Sequence, residues 1–239
     1  MLRVFYGKVC VTGTVAVIVC LLLVLHSNNV KGQQKDSVKT LSTNKKHDLF
    51  LEGDLGASFP IAPKPPPWFE PFMFANPGVF YEGSVDYQFT FHTGIILLAA
   101  GSTNSYNATL ADHYSSSPVS TDIPYVFSEY FAGINEMIRI SNTFRMHCWA
   151  ALGLFKSDWP AVLVNHYFIV DGKTFNSFGS NVGIGALTRL YNKFDLSVRV
   201  SLANGTFHIP YYSIYNDHPL YTFWLIQTGV GVVYHILNH

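Results

Sequence analysis

Residues 195–202 alternate strictly between polar and apolar side chains. The apolar positions are Leu196, Val198, Val200 and Leu202, and the polar positions are Asp195, Ser197, Arg199 and Ser201. A period of two is expected of a β-strand whose two faces meet different surroundings. The same alternation recurs over residues 83–91 and 49–59. The pattern therefore predicts a fold built from strands that have one apolar and one polar face.

Strand patterns recur along the chain, and no segment makes a convincing amphipathic helix. The eight predicted strands cover about residues 48–61, 79–92, 93–104, 127–141, 144–156, 181–192, 195–204 and 220–237. Short connections suited to hairpins alternate with four long ones, at residues 62–78, 105–126, 157–180 and 205–219. In an up-and-down meander this alternation places every long loop at one end, as in outer-membrane barrels. The prediction is an all-β fold, an eight-stranded antiparallel up-and-down transmembrane β-barrel.

The N-terminal segment differs from the rest of the chain. A basic start, an apolar run over residues 11–25 and small residues after it predict a cleavable signal peptide over residues 1–32. An uncleaved anchor is the alternative, and the run is shorter than the roughly 20 residues that a spanning helix needs. Residues 33–47 are polar without periodicity and predict a flexible lead. Residues 48–239 are predicted to form the barrel domain.

Charge and cysteine usage exclude several classes of function. Without the signal peptide the chain has 12 basic and 15 acidic residues, a net charge of minus 3, which gives no indication of nucleic-acid binding. Two of the three cysteines fall within the signal peptide, so Cys148 is left alone and no internal disulfide is expected. No pair of histidines in the strands has tight metal-ligand spacing. Neither a metal nor a cofactor is predicted.

The arginines determine which face of each strand points inward. All four arginines after the signal peptide fall within predicted strands. Facing lipid near the midplane, each would cost roughly 2–4 kcal/mol, so the polar parity is predicted to face the barrel interior. Arginine also favours buried, bidentate ion pairs, for which acids on the same parity are available. The predicted interior ion-pair network consists of Glu52, Asp54, Asp86, Glu129, Arg139, Arg145, Arg189 and Arg199.

The outward parity is predicted to be apolar, with aromatic residues near both membrane interfaces. The predicted aromatic positions are Tyr87, Phe89, Phe91 and Phe144 near the short turns, and Phe80, Tyr130, Trp159 and Trp224 toward the loops. Glu136 conflicts with the scheme because it falls on the outward parity of its strand. Either a bulge near Gly133 or a different register is needed to turn it inward.

Four short segments carry a resemblance to a known family. They are residues 51–56, 182–185, 196–200 and 229–234, which read LEGDLG, VGIG, LSVRV and GVGVVY. With these segments the chain resembles the small outer-membrane β-barrels of Gram-negative bacteria, such as the OmpA transmembrane domain and OmpW, and most closely the Bacteroidota-type barrel domains. The resemblance covers roughly residues 48–239. It implies an exported protein of the outer membrane.

The long loops hold the remaining candidate sites. Residues 63–78 combine six prolines with four aromatic residues, which predicts a stiff, extended and adhesive segment. Its aromatic residues are Trp68, Phe69, Phe72 and Phe74. They are a candidate contact site for a protein or glycan, and packing across the barrel mouth is the alternative. A further loop contains His208, Ser213, Asp217 and His218, but no spacing identifies a catalytic triad, and no catalytic residue is predicted.

The sequence therefore favours a non-enzymatic integral outer-membrane barrel with a structural or accessory role at the cell surface. Its interior is expected to be filled, because an eight-stranded barrel is just wide enough for its own side chains. Its predicted partners are outer-membrane lipids and, through the long loops, another envelope protein. The alternatives are an outer-leaflet lipid-modifying enzyme and a soluble lipocalin-like barrel. The second alternative is disfavoured because no tryptophan has a glycine two positions before it.

Overall fold

The computed structural model describes residues 47–61, 75–90, 92–108, 119–141, 143–164, 168–208 and 220–237. The predicted signal peptide lies outside these residues, as does the predicted lead except for His47. Among the described residues, no helix is long and apolar enough to cross a membrane.

Eight long strands close into one antiparallel barrel. The chain forms β1 (Asp48–Ile61), β2 (Ala75–Gln88), β3 (Thr93–Tyr106), β4 (Val119–Ser120), β5 (Tyr125–Arg139), β6 (Phe144–Asp158), β7 (Val162–Val164), β8 (Phe168–Val170), β9 (Thr174–Tyr191), β10 (Phe194–His208) and β11 (Leu220–Leu237). Each barrel strand pairs with the next barrel strand along the chain, and β11 returns to pair with β1. The predicted fold class is confirmed: the barrel has eight strands in up-and-down order.

The connections alternate in length as predicted. Three short turns join β2 to β3, β5 to β6 and β9 to β10, and they all lie at one end of the barrel. The strand ends that lead into and out of the four long connections lie at the opposite end. The largest difference from the prediction is β9, which begins at Thr174 instead of near residue 181. Its added residues pair with the end of β6, where Thr174 stands opposite Asp158.

Two of the long connections contain a small sheet that the sequence did not predict. Strands β4, β7 and β8 form a separate three-stranded sheet at the loop end. Each has two or three residues, which is too short for a period of two to be read from the sequence. Val162 of β7 is buried and belongs to the aromatic cluster at the top of the barrel. The small sheet therefore packs onto the barrel mouth.

The side chains separate by parity in the predicted sense. In the middle of β1, Leu55 is 69% exposed while the adjacent Asp54 is 3% exposed. The same division of exposed apolar and buried polar residues continues around the barrel. Outward apolar residues with large exposed surfaces include Leu51, Val85, Ile95, Leu97, Ile134, Leu152, Ile184, Val198, Val200 and Val230.

Two residues predicted for the outer aromatic belt are buried inside. Phe80 shares the inward parity of β2 with Glu82, and Trp159 packs on Phe175 with ring centroids 4.6 Å apart. Trp159 follows β6 directly and has the inward parity of Phe155 and Ser157, and its indole N–H donates a hydrogen bond to the Ser157 hydroxyl at 2.7 Å. Tyr130, by contrast, is exposed as predicted.

Glu136 remains on the outward parity. Strand β5 pairs without a register shift with both β3 and β6, so neither a bulge nor a slipped register turns this residue inward. Its carboxylate accepts a hydrogen bond from the Thr93 hydroxyl at 2.9 Å, close to the short turns. The residue is only 7% exposed, so this carboxyl group is covered at the short-turn end of the barrel and has a local donor.

Candidate functional site

The barrel interior is filled by layers of side chains. At the loop end lies an aromatic layer, formed by Tyr106, Tyr125, Phe127, Phe155, Trp159, Phe175, Phe207 and Phe223. A central polar layer surrounds Arg199 on β10, and a second ionic cluster surrounds Asp195 near the short turns. Within the described part of the chain, these interior polar groups form the largest concentration of ionisable side chains, and they are the candidate site.

Arg199 lies at the centre of the central polar layer. Its Nη1 atom forms ion pairs with Glu82, with Asp54 at 3.3 Å and with Glu52 at 3.9 Å. The guanidinium also lies 4.2 Å from the ring centroid of Trp149, which is a cation–π contact. All these side chains are buried, so the attraction between the charges is screened very little by solvent.

Glycines on both neighbouring strands make room for this arrangement. In the sheet, Arg199 stands between Gly185 of β9 and Gly229 of β11. A Cβ atom at Gly183 would collide with the Trp149 ring, and one at Gly231 would collide with the Asp54 carboxylate. Because these inward positions lack side chains, the arginine reaches over β11 to the acids of β1 and β2, while the tryptophan of β6 reaches it over β9.

Hydrogen bonds connect several further polar groups of the central polar layer. Ser197 donates to Asp54 at 2.7 Å, and the indole N–H of Trp149 donates to Asn181 at 2.7 Å. The side-chain amide of Gln227 donates to Glu129 and accepts a hydrogen bond from Ser201 at 3.1 Å.

Asp86 belongs to a separate group nearer the short turns. Its carboxylate accepts hydrogen bonds from Ser84 at 2.9 Å and from the Asn135 amide. Gln88 donates to the same asparagine at 2.9 Å. Asp86 is therefore bonded to neutral groups and not to an arginine.

The second ionic cluster is built on Asp195. Its carboxylate pairs with Arg145, with Arg189 at 3.3 Å and with His235 at 3.1 Å. The Asp195 side chain is buried, while the two arginines keep part of their surface in solvent. One acid therefore holds bases from three strands, β6, β9 and β11, at the short-turn end of the barrel.

The predicted interior network divides among these groups. Glu52, Asp54 and Arg199 come together, Asp86 and Glu129 bond to neutral side chains, and Arg145 and Arg189 belong to the Asp195 cluster.

Arg139 departs from the predicted network. It is the last residue of β5, it is exposed, and the described residues give it no ion pair. The physical reason is its level: the last buried side chain of β5 is Met137, so Arg139 lies at the open rim, directly opposite Arg145. Arg139 therefore has the inward parity of β5 but lies outside the enclosed interior.

Sequence reasoning left several functional residues out of the predicted network. Glu82, Asp195, Trp149, Gln227 and His235 all lie in the interior. Glu82 and Asp195 share the polar parity of their strands, so the alternation was a sufficient signal for both. The glycines that alternate at residues 183–185 and 229–231 were the available sequence signal that a neighbouring strand carries large inward side chains.

The loop candidates lie outside the described residues. These are Trp68, Phe69, Phe72 and Phe74 of the proline-rich loop, and Ser213, Asp217 and His218 of the last long connection, so their roles stay predictions. His208 ends β10. Within the described ranges, no group of three or more histidine, cysteine, aspartate or glutamate residues is placed to hold a metal ion.

The chain is similar to known proteins in its fold. No family model and no curated protein matches the chain. The crystal structure of Neisserial surface protein A matches with a TM-score of 0.51 and 11% identity, over 78% of this chain and 96% of the other. The chain has the fold of a small outer-membrane β-barrel.

Two further solved structures are similar to this barrel at lower scores. Ail, the attachment invasion locus protein of Yersinia pestis, matches with a TM-score of 0.43 and 10% identity, over 79% of this chain and 99% of Ail. The outer membrane protein OprG from Pseudomonas aeruginosa matches with a TM-score of 0.43 and 11% identity, over 81% of this chain and 98% of OprG. At such identities the likeness concerns the fold.

Proposed function

We propose that this protein is an integral outer-membrane barrel that acts through its outer surface and loops, in a structural or accessory role, and that neither conducts solutes nor catalyses a reaction. The observation that carries the proposal is the filled interior. Arg199 and Trp149 are among the largest side chains that are fully buried, and they stack on each other in the middle of the barrel. An eight-stranded barrel is just wide enough for its own side chains to fill the interior, which leaves these groups without a role as a solute path.

The aromatic layer closes the barrel on the loop side. Phe127 stacks on Phe223 with ring centroids 5.0 Å apart, and Phe155 lies 5.9 Å from Phe127 and 5.8 Å from Phe207. These four rings are buried and lie between the central acids and the loop end. A substrate approaching from the loops would meet this layer before it reached the carboxylates, which supports a non-enzymatic role.

The outer surface supports membrane lipid as the principal partner. Leucine, valine and isoleucine side chains are exposed on strand after strand at the outward parity. A soluble protein rarely exposes a contiguous apolar surface of this extent, whereas a spanning barrel requires it. Together with the outer-membrane type of the fold, this surface supports an outer-membrane location.

Recordings in planar lipid bilayers test the proposal. We expect the purified barrel, once its insertion has been verified by heat-modifiable mobility, to show at most small and rare conductance events. The double variant Trp149→Ala/Arg199→Ala removes two of the largest buried side chains and is the matched comparison, with more frequent openings expected. Stable and large unitary currents from the unmodified barrel would contradict the proposal.

A further inference from the structure

The central polar layer and the neighbouring Asp86 group together contain far more acid than base. Their buried carboxyl groups, each at most 5% exposed, are Glu52, Asp54, Glu82, Asp86 and Glu129. Arg199 is the one guanidinium among them in the described residues, and it is 1% exposed. If all five carboxyl groups were ionised, four negative charges would lie uncompensated in a water-poor interior, which is very unfavourable.

The geometry concentrates this imbalance. Glu52, Asp54 and Glu82 converge on one nitrogen atom of Arg199, Nη1, while its Nε and Nη2 atoms are buried without a hydrogen-bond partner. Both carboxyl oxygens of Glu52 and one oxygen of Glu129 also lack a donor. Carboxyl groups that crowd around a single positive charge do not all ionise, because each ionised group opposes the next.

Charged groups from the surrounding strands do not remove the excess. Arg145, Arg189 and His235 face the interior, but all three contact Asp195. The inward positions of β3 are apolar or neutral. On β6, the buried His147 ring packs against Trp149 with the ring planes tilted by 43°, and neither of its nitrogen atoms has a hydrogen-bond partner.

We infer that the folded barrel holds protons in its interior, so that at least two of these five buried carboxyl groups are neutral acids at neutral pH. The unfolded chain, whose carboxyl groups are in water, releases these protons. Folding therefore takes up protons near neutral pH, and the barrel loses stability as the pH rises. This is the reverse of the usual behaviour of carboxylates paired in ion pairs, which favour the folded state at higher pH.

A pH series of equilibrium unfolding tests this inference. The full-length barrel, folded in lipid vesicles, is unfolded in urea between pH 6 and pH 9. For each proton that only the folded state holds, the unfolding equilibrium constant should rise about tenfold per pH unit. Glu129→Gln and Asp86→Asn replace acids by neutral side chains of similar shape and should each reduce this slope. Asp122→Asn, at an exposed position, should leave it unchanged.

Infrared spectroscopy provides a readout that a purely structural role would not change. The folded barrel at pH 7 should show the C=O stretch of a protonated carboxyl group, and Glu129→Gln or Asp86→Asn should weaken it. A stability that is flat or rises over the pH range, or the absence of that band, would overturn the inference. So would recovery of stability at pH 9 by sodium or potassium but not by choline at equal ionic strength, because a bound cation would then supply the missing charge.

Discussion

At the scale of single residues, Arg199 matters because it supplies positive charge to several acids at once. Its guanidinium reaches Glu52, Asp54 and Glu82 and stacks on Trp149. A buried ion pair does not by itself guarantee stability, since both partners lose their hydration. Removing one member is nevertheless costly, because the remaining charge stays buried without compensation.

The variant Arg199→Leu should lower the free energy of unfolding by about 3–5 kcal/mol near neutral pH. The loss should be smaller at pH 5, where the acids that lose their partner are neutralised more easily by protons. Urea unfolding in vesicles at pH 5 and pH 8 measures both quantities.

Arg139→Leu is the matched control, because it removes the same type of side chain from an exposed position on the same parity. It should change the stability by less than about 0.5 kcal/mol. If Arg199→Leu were as silent as this control, the central ion pairs would not stabilise the barrel.

The residue scale also shows what alternation can and cannot predict. Parity alone placed Arg199, Glu52 and Asp54 in the interior, because the face of a strand residue depends only on its position in the pattern. It did not give the level of each residue along the barrel. Glu82 contacts Arg199, while Asp86 does not, since the register aligns Glu82 with Asp54 and Asp86 with Phe50. That register is set by pairing between strands and could not be read from one strand.

At the scale of the strand, the inward glycines of β9 provide the space that large side chains of the neighbouring strand β6 occupy. Trp149 of β6 stands opposite Gly183 and lies over it, and His147 has the same relation to Gly185. Two large rings can lie flat in a narrow interior because the facing strand leaves the space empty. Alternation of glycine on the inward parity is thus a sequence signal for bulky residues on a neighbouring strand.

The variant Gly183→Ala should destabilise the barrel by about 1–3 kcal/mol, because the added methyl group overlaps the buried Trp149 ring. Equilibrium unfolding measures the cost, and tryptophan fluorescence should report a changed environment.

Gly53→Ala is the comparison, since a Cβ at that position on β1 would meet no atom within 4 Å. It should be neutral or stabilising by a few tenths of a kcal/mol, because alanine restricts the unfolded chain. Equal effects of the two substitutions would show that the space beside Trp149 is not restrictive.

The strand boundaries show a further limit of sequence reasoning. The eight barrel strands were predicted within a few residues, apart from β9, because most carry several periods of alternation and β3 carries a continuous apolar run. Strands β4, β7 and β8 were missed because they pair only where two long connections meet. Short strands of this kind depend on tertiary contacts, which a local pattern does not contain.

At the scale of the whole molecule, the distribution of apolar and charged side chains is the reverse of that in a soluble protein. Apolar side chains cover the outside, and much of the charge lies inside. A soluble lipocalin-like barrel would show the opposite arrangement, with a polar exterior. This contrast gives a direct test of the environment in which the barrel works.

The variant Leu55→Arg should impair insertion and cost about 2–4 kcal/mol, because it places a charge on the outward face in the middle of β1. Ile123→Arg is the control, since this residue is also apolar and exposed but lies between β4 and β5, outside the barrel wall. Folding yield into vesicles, measured by heat-modifiable mobility, checks both. If the barrel were a soluble protein, neither substitution would reduce the folding yield. That result would exclude the membrane assignment.

The pairing of β11 with both β1 and β10 has a consequence for assembly. Before β11 is in place, the strands on either side of it present open rows of backbone N–H and C=O groups. Hydrocarbon offers these groups no replacement partners, so a partly built wall cannot rest in the membrane at low cost. Among the eight barrel strands, β11 is the last in chain order, and it is also the strand that closes the wall. A stable wall in the membrane therefore requires all eight strands to be present.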